Sequence, residues 1–230
     1  MQTEPASSEA TNPSAAPKLI GGRYEVVGLM GRGGMGAVYR VHDRQSDREY
    51  ALKQLTRGGA QADQAKALFE REFCTLAQLR HPRIIEVHDY GLDERGPFFT
   101  MELLEGADVR DVSPLPWQTA CRYLREVATS LALLHVRRLV HRDVTPRNVR
   151  MTPDGHCKLF DFGALTEVGQ SGSVVGTPPC IPPEALDGKP LDARLDLYAL
   201  GCLGYYMLTG KHAFPATDSR QLRTYWAREL

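Results

Sequence analysis

The segment best equipped for chemistry is His141-Arg142-Asp143-Val144-Thr145-Pro146-Arg147-Asn148, followed after a short gap by Asp161-Phe162-Gly163. A magnesium ion takes hard oxygen ligands, and Asn148 and Asp161 supply them. A hydroxyl about to attack phosphorus needs a carboxylate that orients it and receives its proton, and Asp143 has the right character. The set points to phosphoryl transfer from ATP. Any one of these residues alone would suit an ordinary turn, where Asp and Asn are common. The ordered group is what carries the chemistry.

Upstream lies Gly31-Arg32-Gly33-Gly34-Met35-Gly36-Ala37-Val38. A dinucleotide fold would follow such glycines with a helix. Here Val38-Tyr39-Arg40-Val41 alternates as a strand does, which favours a hairpin closing over phosphates, or else a plain glycine-rich hairpin. No G-K-[ST] ends the run, so it is not a Walker A loop. Lys53, in Tyr50-Ala51-Leu52-Lys53, would alone read as a solvated surface residue. Glu72 changes its weight. This glutamate shares a helix face with Leu68, Phe69, Phe73 and Leu76. A carboxylate on an apolar face is costly unless paired, and Lys53 is the natural partner. A lysine held in this way is aimed at phosphate oxygens.

The elements that must position these groups follow from periodicity. Alternating runs predict strands over 24–29, 37–42 and 50–55. A helix is predicted over 62–80, stopped by Pro82, then strands over 84–90 and 98–103 joined by a turn at 91–96. Beyond Gly106 the pattern turns helical. One long helix follows Ser113-Pro114-Leu115-Pro116 and carries Cys121, Leu124, Val127, Leu131 and Leu134 on one face. Short strands and turns fill 139–162, a loop runs to Gly176, and helices are expected over 194–208 and from about Ser219. The fold class is therefore α+β: a small antiparallel-sheet lobe with one large helix, joined to a mainly helical lobe. Residues 1–20 read as a flexible tail, 21–104 as the first lobe and 105–230 as part of the second.

Lysine plus arginine and aspartate plus glutamate each number 28, so the formal net charge is zero. That gives no support to nucleic acid or an anionic membrane as a bulk partner. The five cysteines are widely spaced and form no C-x-x-C pair, as expected of reduced thiols in a cytoplasmic domain. The first residues are acidic and lack the apolar run of a signal peptide, and no stretch is apolar for long enough to span a bilayer.

Taken together, the motifs resemble the protein kinase superfamily, particularly bacterial serine/threonine kinases of the eukaryotic type. The matching segments are GRGGMGAV, YALK, the Glu72 helix, HRDVTPRN, DFG, GTPPCIPPE and LDLYALG, in family order from Tyr24 to about Ala213. The resemblance implies ATP and magnesium, with manganese as a substitute, and protein substrates. It implies that Gly31, Gly33 and Gly36 cover the phosphates, that Val38 and Ala51 pack on adenine, and that Met101 is the gatekeeper before a hinge of Glu102 to Leu104. Asp196 would anchor the catalytic loop. Leu76, Tyr90, His141 and Phe162 would stack as the regulatory spine. Thr177 would bond the catalytic loop, as in kinases acting on serine or threonine. Arg142 beside Asp143 resembles kinases switched on by loop phosphorylation, with Ser171 and Ser173 as acceptors ahead of Thr166, and self-association for autophosphorylation.

Several positions depart from the family. Thr145 stands where a lysine usually touches the transferred phosphate, which should weaken transition-state stabilisation. Arg150 stands at the apolar floor of the adenine pocket, either laying its stem under the ring with its charge outward or obstructing the pocket. Cys180 and Pro182 replace tyrosine and alanine at positions that shape the peptide groove. The resemblance also implies further helices beyond Leu230, one bringing an arginine to Glu184, so the C-terminal lobe reads as incomplete. Three functions fit: an active serine/threonine kinase, a nucleotide-binding or scaffolding pseudokinase, and a small-molecule phosphotransferase, against which Gly176-Thr177-Pro178 argues.

Overall fold

The computed structural model describes residues 19–33, 36–55, 62–170 and 175–229. The expected tail lies almost wholly outside these residues, as do Ser171 and Ser173. The first lobe contains β1 (Leu19–Ile20), β2 (Tyr24–Gly33), β3 (Gly36–Asp43), β4 (Arg48–Leu55), α1 (Ala62–Gln78), β5 (Val87–Asp93) and β6 (Gly96–Met101). The strands form one sheet in the order β1-β2-β3-β4-β6-β5, antiparallel throughout.

Alternation decides which side chains face the ligand side. On β3, Ala37, Tyr39 and Val41 are buried against Leu52 and Phe98 on one face of the sheet, which turns Val38 to the other. Helix α1 packs on that second face through Phe69, Glu72 and Leu76, at i, i+3 and i+7. Phe69 lies 4.9 Å from the ring of Phe99, and Phe73 lies 5.7 Å from it. Leu68, expected on this face, is instead 44% exposed. The buried stripe is narrower than the sequence suggests.

The expected strand over 84–90 is shifted. Ile84 pairs with Leu159 of the second lobe in a parallel bridge, and the Ile85 amide donates to the Leu159 carbonyl. These apolar residues therefore tie the lobes together. The strand runs from Val87 into the first half of the expected turn, and pairing closes at Asp93 and Gly96.

The second lobe contains β7 (Ala107–Asp108), α2 (Val109–Val112), α3 (Trp117–Val136), β8 (Leu139–Val140), β9 (Val149–Met151), β10 (Cys157–Leu159), β11 (Thr166–Glu167), a single 3-10 turn (Pro178–Cys180), α4 (Pro183–Leu186), α5 (Arg194–Thr209) and α6 (Ser219–Glu229). Tyr123, Val127, Leu131 and Leu134 of α3 share one core with Leu203 and Met207 of α5. Burying each such side chain stabilises by roughly 1.5–3 kcal/mol. Cys121 is exposed, because the buried stripe of α3 passes through Ala120 and Tyr123 instead. Leu222 of α6 is buried with Ile181, Ala185 and Leu195, so this helix braces the segment after the 3-10 turn.

Candidate active site

Strand register assembles the upper half of the site. Val38 pairs with Lys53, and Ala51 pairs with Met101. Ala51 and Lys53 are two residues apart on β4 and face the same side. All four line a cavity of about 590 Å³ between the lobes. The β2–β3 hairpin adds Gly31, Gly33 and Gly36, the segment after β6 adds Glu102 and Leu104, and the second lobe adds Asp143 and Asp161. A Cβ on Gly36 would sit 2.0 Å from the Gln54 carbonyl oxygen, so only glycine lets the hairpin lie this close to β4.

Lys53 is held in place by both of its carboxylate neighbours. Its Nζ donates to Glu72 Oε1 at 2.7 Å and Oε2 at 2.9 Å, and lies 3.5 Å from Asp161 Oδ1. Burial opposes the ammonium charge, but Glu72 and Asp161 outweigh it and hold the Lys53 pKa above its ordinary value. A charged lysine thus faces the cavity with its position fixed from behind.

The loop that carries Asp143 hangs from Asp196, which is fully buried on α5. Its Oδ2 accepts from His135 Nε2 at 2.8 Å and the His141 amide at 2.9 Å, and its Oδ1 accepts from the Arg142 amide at 2.9 Å. Arg142 and Asp161 both adopt left-handed backbone, with φ of 71° and 61°, a strain that proteins keep mainly at functional sites. Asp143 Oδ1 accepts from the amide and hydroxyl of Thr177, and its Oδ2 accepts from Asn148 Nδ2 at 2.8 Å. Asn148 Nδ2 also donates to the Asp143 carbonyl. The carboxamide oxygen is left with no protein partner among the described residues. Gly176 lets the loop approach this closely: at φ 122°, a Cβ there would lie 2.7 Å from the Arg142 carbonyl oxygen.

The hydrophobic stack needs one correction. Leu76 and Phe162 share the large core, and the His141 ring meets Phe162 edge-on at 4.7 Å. Tyr90 does not join them. It packs on Phe73 at 5.3 Å and its hydroxyl donates to Glu70. Val87 packs against that core instead. Burial pushes the His141 pKa down, so the ring is neutral, and Nδ1 accepts from the Asp143 amide at 3.3 Å.

The departures now have positions. Thr145 is 2% exposed and does not line the cavity. Arg150 does line it, but its guanidinium is turned onto Asp108 and the Leu104 carbonyl. Cys180 and Pro182 are buried, so they shape any peptide groove only through the backbone. Glu184 makes no ion pair among the described residues. Thr166 is buried on β11, with its hydroxyl bonded to Gln170.

The donor set fits a magnesium nucleotide. Such ions are held by one or two protein oxygens and completed by phosphate and water. Asn148 Oδ1 and the half-exposed carboxylate of Asp161 are oxygens of that kind, and Lys53 is the cation beside them. Among the described residues, no three His, Cys, Asp or Glu side chains converge as a metal cage. Sequence reasoning missed Ile85, Asp108 and Phe160, which line the cavity. None belongs to a motif read for its chemistry, and contacts between distant segments bring them there.

A glycine hairpin, a lysine–glutamate pair, Asp143 and Asp161 surround one interlobe cavity. The chain belongs to the protein kinase family: the protein kinase domain model matches residues 24–229. It is 36% identical over 214 residues to a probable serine/threonine-protein kinase of Streptomyces coelicolor, covering 86% of this chain and 32% of the relative. It is 41% identical over 216 residues to the DNA damage-responsive serine/threonine-protein kinase RqkA of Deinococcus radiodurans, covering 88% and 32%. With serine/threonine-protein kinase PknB of Mycobacterium leprae the figures are 34% over 212 residues, covering 86% and 34%. The chain spans about one third of the length of these relatives.

Proposed function

We propose that the chain is a serine/threonine protein kinase domain that transfers the γ-phosphoryl group of ATP to protein hydroxyls. The observation that carries this reading is the hold on Asp143: Thr177 and Asn148 fix its carboxylate at the edge of the cavity that Lys53 and Asp161 also face. Magnesium-bound ATP, with manganese as a substitute cation, supplies the phosphoryl group and the charge that stabilises its transfer. Lys53 binds phosphate oxygens, with Glu72 keeping it aimed. Asn148 and Asp161 hold the cation. Asp143 orients the attacking hydroxyl and takes its proton. Gly31, Gly33 and Gly36 let backbone approach the phosphates, while Val38, Ala51 and Met101 enclose the base and the hinge backbone at Glu102 and Leu104 reads its edge.

The lobe boundary lies at this hinge, near Leu104. No described helix is long and apolar enough to cross a membrane. The reduced-thiol reading assigns the domain to the cytoplasm. The approach of Thr177 to Asp143 favours a protein substrate over a small metabolite. The buried Thr145 favours the second reading, a pseudokinase that binds nucleotide without transfer.

The test is transfer of labelled phosphate from ATP to serine and threonine of a protein substrate or of the chain itself. Magnesium-dependent labelling that vanishes in Asp143→Ala is the expected result. ATP binding without labelling would favour the pseudokinase.

A further inference from the structure

The fold brings together two cysteines that the site does not use. Cys180 ends the 3-10 turn that follows Thr177, and Cys202 lies on α5, against which that turn packs. The two residues are 5% and 8% exposed and belong to one core. Their thiols are hydrogen-bond partners, and both are free. The Tyr198 hydroxyl, one turn earlier on α5, bonds to Cys202 as well and accepts from Trp226 Nε1 at 3.3 Å. By contrast, Cys74 and Cys121 are exposed, and the Cys157 thiol donates to the Tyr123 carbonyl at 3.7 Å.

A thiol beside a thiol eases the loss of the first proton, because the remaining S–H stabilises the thiolate. The Cys180 thiol, followed by Tyr198, holds the Cys202 pKa below its ordinary value against the opposing effect of burial, while Cys180 is pushed up. The thiolate is the form that reacts with oxidants, and a second thiol in contact captures the first product before it oxidises further. The turn is also tied to the candidate active site. The Cys180 amide donates to the Thr177 carbonyl at 2.9 Å, and the Thr177 hydroxyl holds Asp143.

We propose that Cys180 and Cys202 form an oxidative modification site, which a peroxide closes to a disulfide and an added dithiol reopens. The Cys202 thiolate attacks one oxygen of hydrogen peroxide. The S–O bond forms as the O–O bond breaks, and the hydroxide that leaves takes up a proton as water. The Cys180 sulfur then attacks the Cys202 sulfenic acid. The S–S bond forms, the S–O bond breaks, and the departing hydroxyl leaves as water with the Cys180 proton. Two thiols and one peroxide give one disulfide and two waters, with two electrons passing from the sulfurs to the peroxide. The bridge fastens the turn to α5 and, through the Cys180 amide, disturbs the hold of Thr177 on Asp143. That effect on turnover rests on the kinase reading above, whereas the bond itself does not.

The experiment treats the full chain at low concentration with hydrogen peroxide, blocks the remaining thiols with N-ethylmaleimide and maps the monomer's peptides by mass spectrometry without reductant. A linked Cys180–Cys202 peptide pair, lighter by two hydrogens and lost after dithiothreitol, is the expected result. Turnover of labelled phosphate should fall about tenfold as the pair forms, the worth of one hydrogen bond to a charged group, and return with dithiothreitol. Cys180→Ser should form no such pair and keep its own untreated rate through the same exposure. The wild-type map needs no variant, so misfolding of Cys180→Ser leaves the test intact. Cys180 and Cys202 remaining separate thiols, or passing to sulfinic acid without the bridge, overturns the site. A bridge that leaves turnover unchanged overturns its action through Thr177. Absence of turnover before oxidation overturns the kinase reading, and the peptide map then decides the site alone.

Discussion

Thr177 donates twice to one oxygen of Asp143, from its hydroxyl at 2.8 Å and its backbone amide at 3.0 Å. The segment that would dock a substrate is thereby joined to the group that would receive its proton. Thr177→Val keeps the shape and the amide bond but removes the hydroxyl. Turnover should fall about tenfold, the worth of one hydrogen bond to a charged group, with the KM for ATP little changed. Steady-state kinetics on a serine peptide checks this.

The Lys53–Glu72 pair makes a second prediction. Lys53→Met removes the cation bonded to Glu72 and leaves that carboxylate buried without its partner. The loss of a single charge-stabilising donor should lower turnover by about 10²–10³-fold. Glu72→Gln keeps the lysine charged but frees its aim, and should cost less. An equal loss in the two variants would argue against a distinct phosphate-binding role for Lys53.

Asp196 offers a stability test. Asp196→Ala leaves the His141 and Arg142 amides without their acceptor inside the fold. An unsatisfied buried donor costs about 1–3 kcal/mol, so denaturant unfolding should show a loss of roughly 3 kcal/mol or more. Activity should fall with it, because the same amides position Asp143.

His141 sets a pH dependence. Burial lowers its pKa in the folded state, so the unfolded chain binds a proton more readily. Its contribution is intact above the unfolded pKa of about 6.5 and is lost as pH falls below it, by up to about 1.4 kcal/mol per pH unit. Comparing unfolding at pH 7.5 and 5.5 should show a smaller acid loss in His141→Phe than in the wild type.

Much of the site was legible because its chemistry sits in short motifs. Asp143 and Asn148 share one loop, and a loop that short must bring them together. The Lys53–Glu72 pair was legible for another reason, since a carboxylate on an apolar helix face demands a partner. What stayed hidden depends on contacts between distant segments. Tyr90 and Val87 are both apolar enough for the spine, and the irregular register of β5 against β6 separates them: Val87 packs against the core that holds Leu76 and Phe162, whereas Tyr90 packs on Phe73. The same holds for Arg150, whose sequence neighbours say nothing of Asp108. Leu68 and Cys121 satisfied helical periodicity yet face solvent, because each helix meets its neighbours over a narrow stripe.

The most direct test of the central claim is a crystal structure of the full chain with manganese and a non-hydrolysable ATP analogue, with anomalous scattering to locate the metal. The account predicts manganese bonded to oxygens of Asn148 and Asp161, phosphate oxygens against Lys53, and Asp143 beside the terminal phosphate. A nucleotide bound away from Lys53, or metal bound without Asn148 and Asp161, would contradict it.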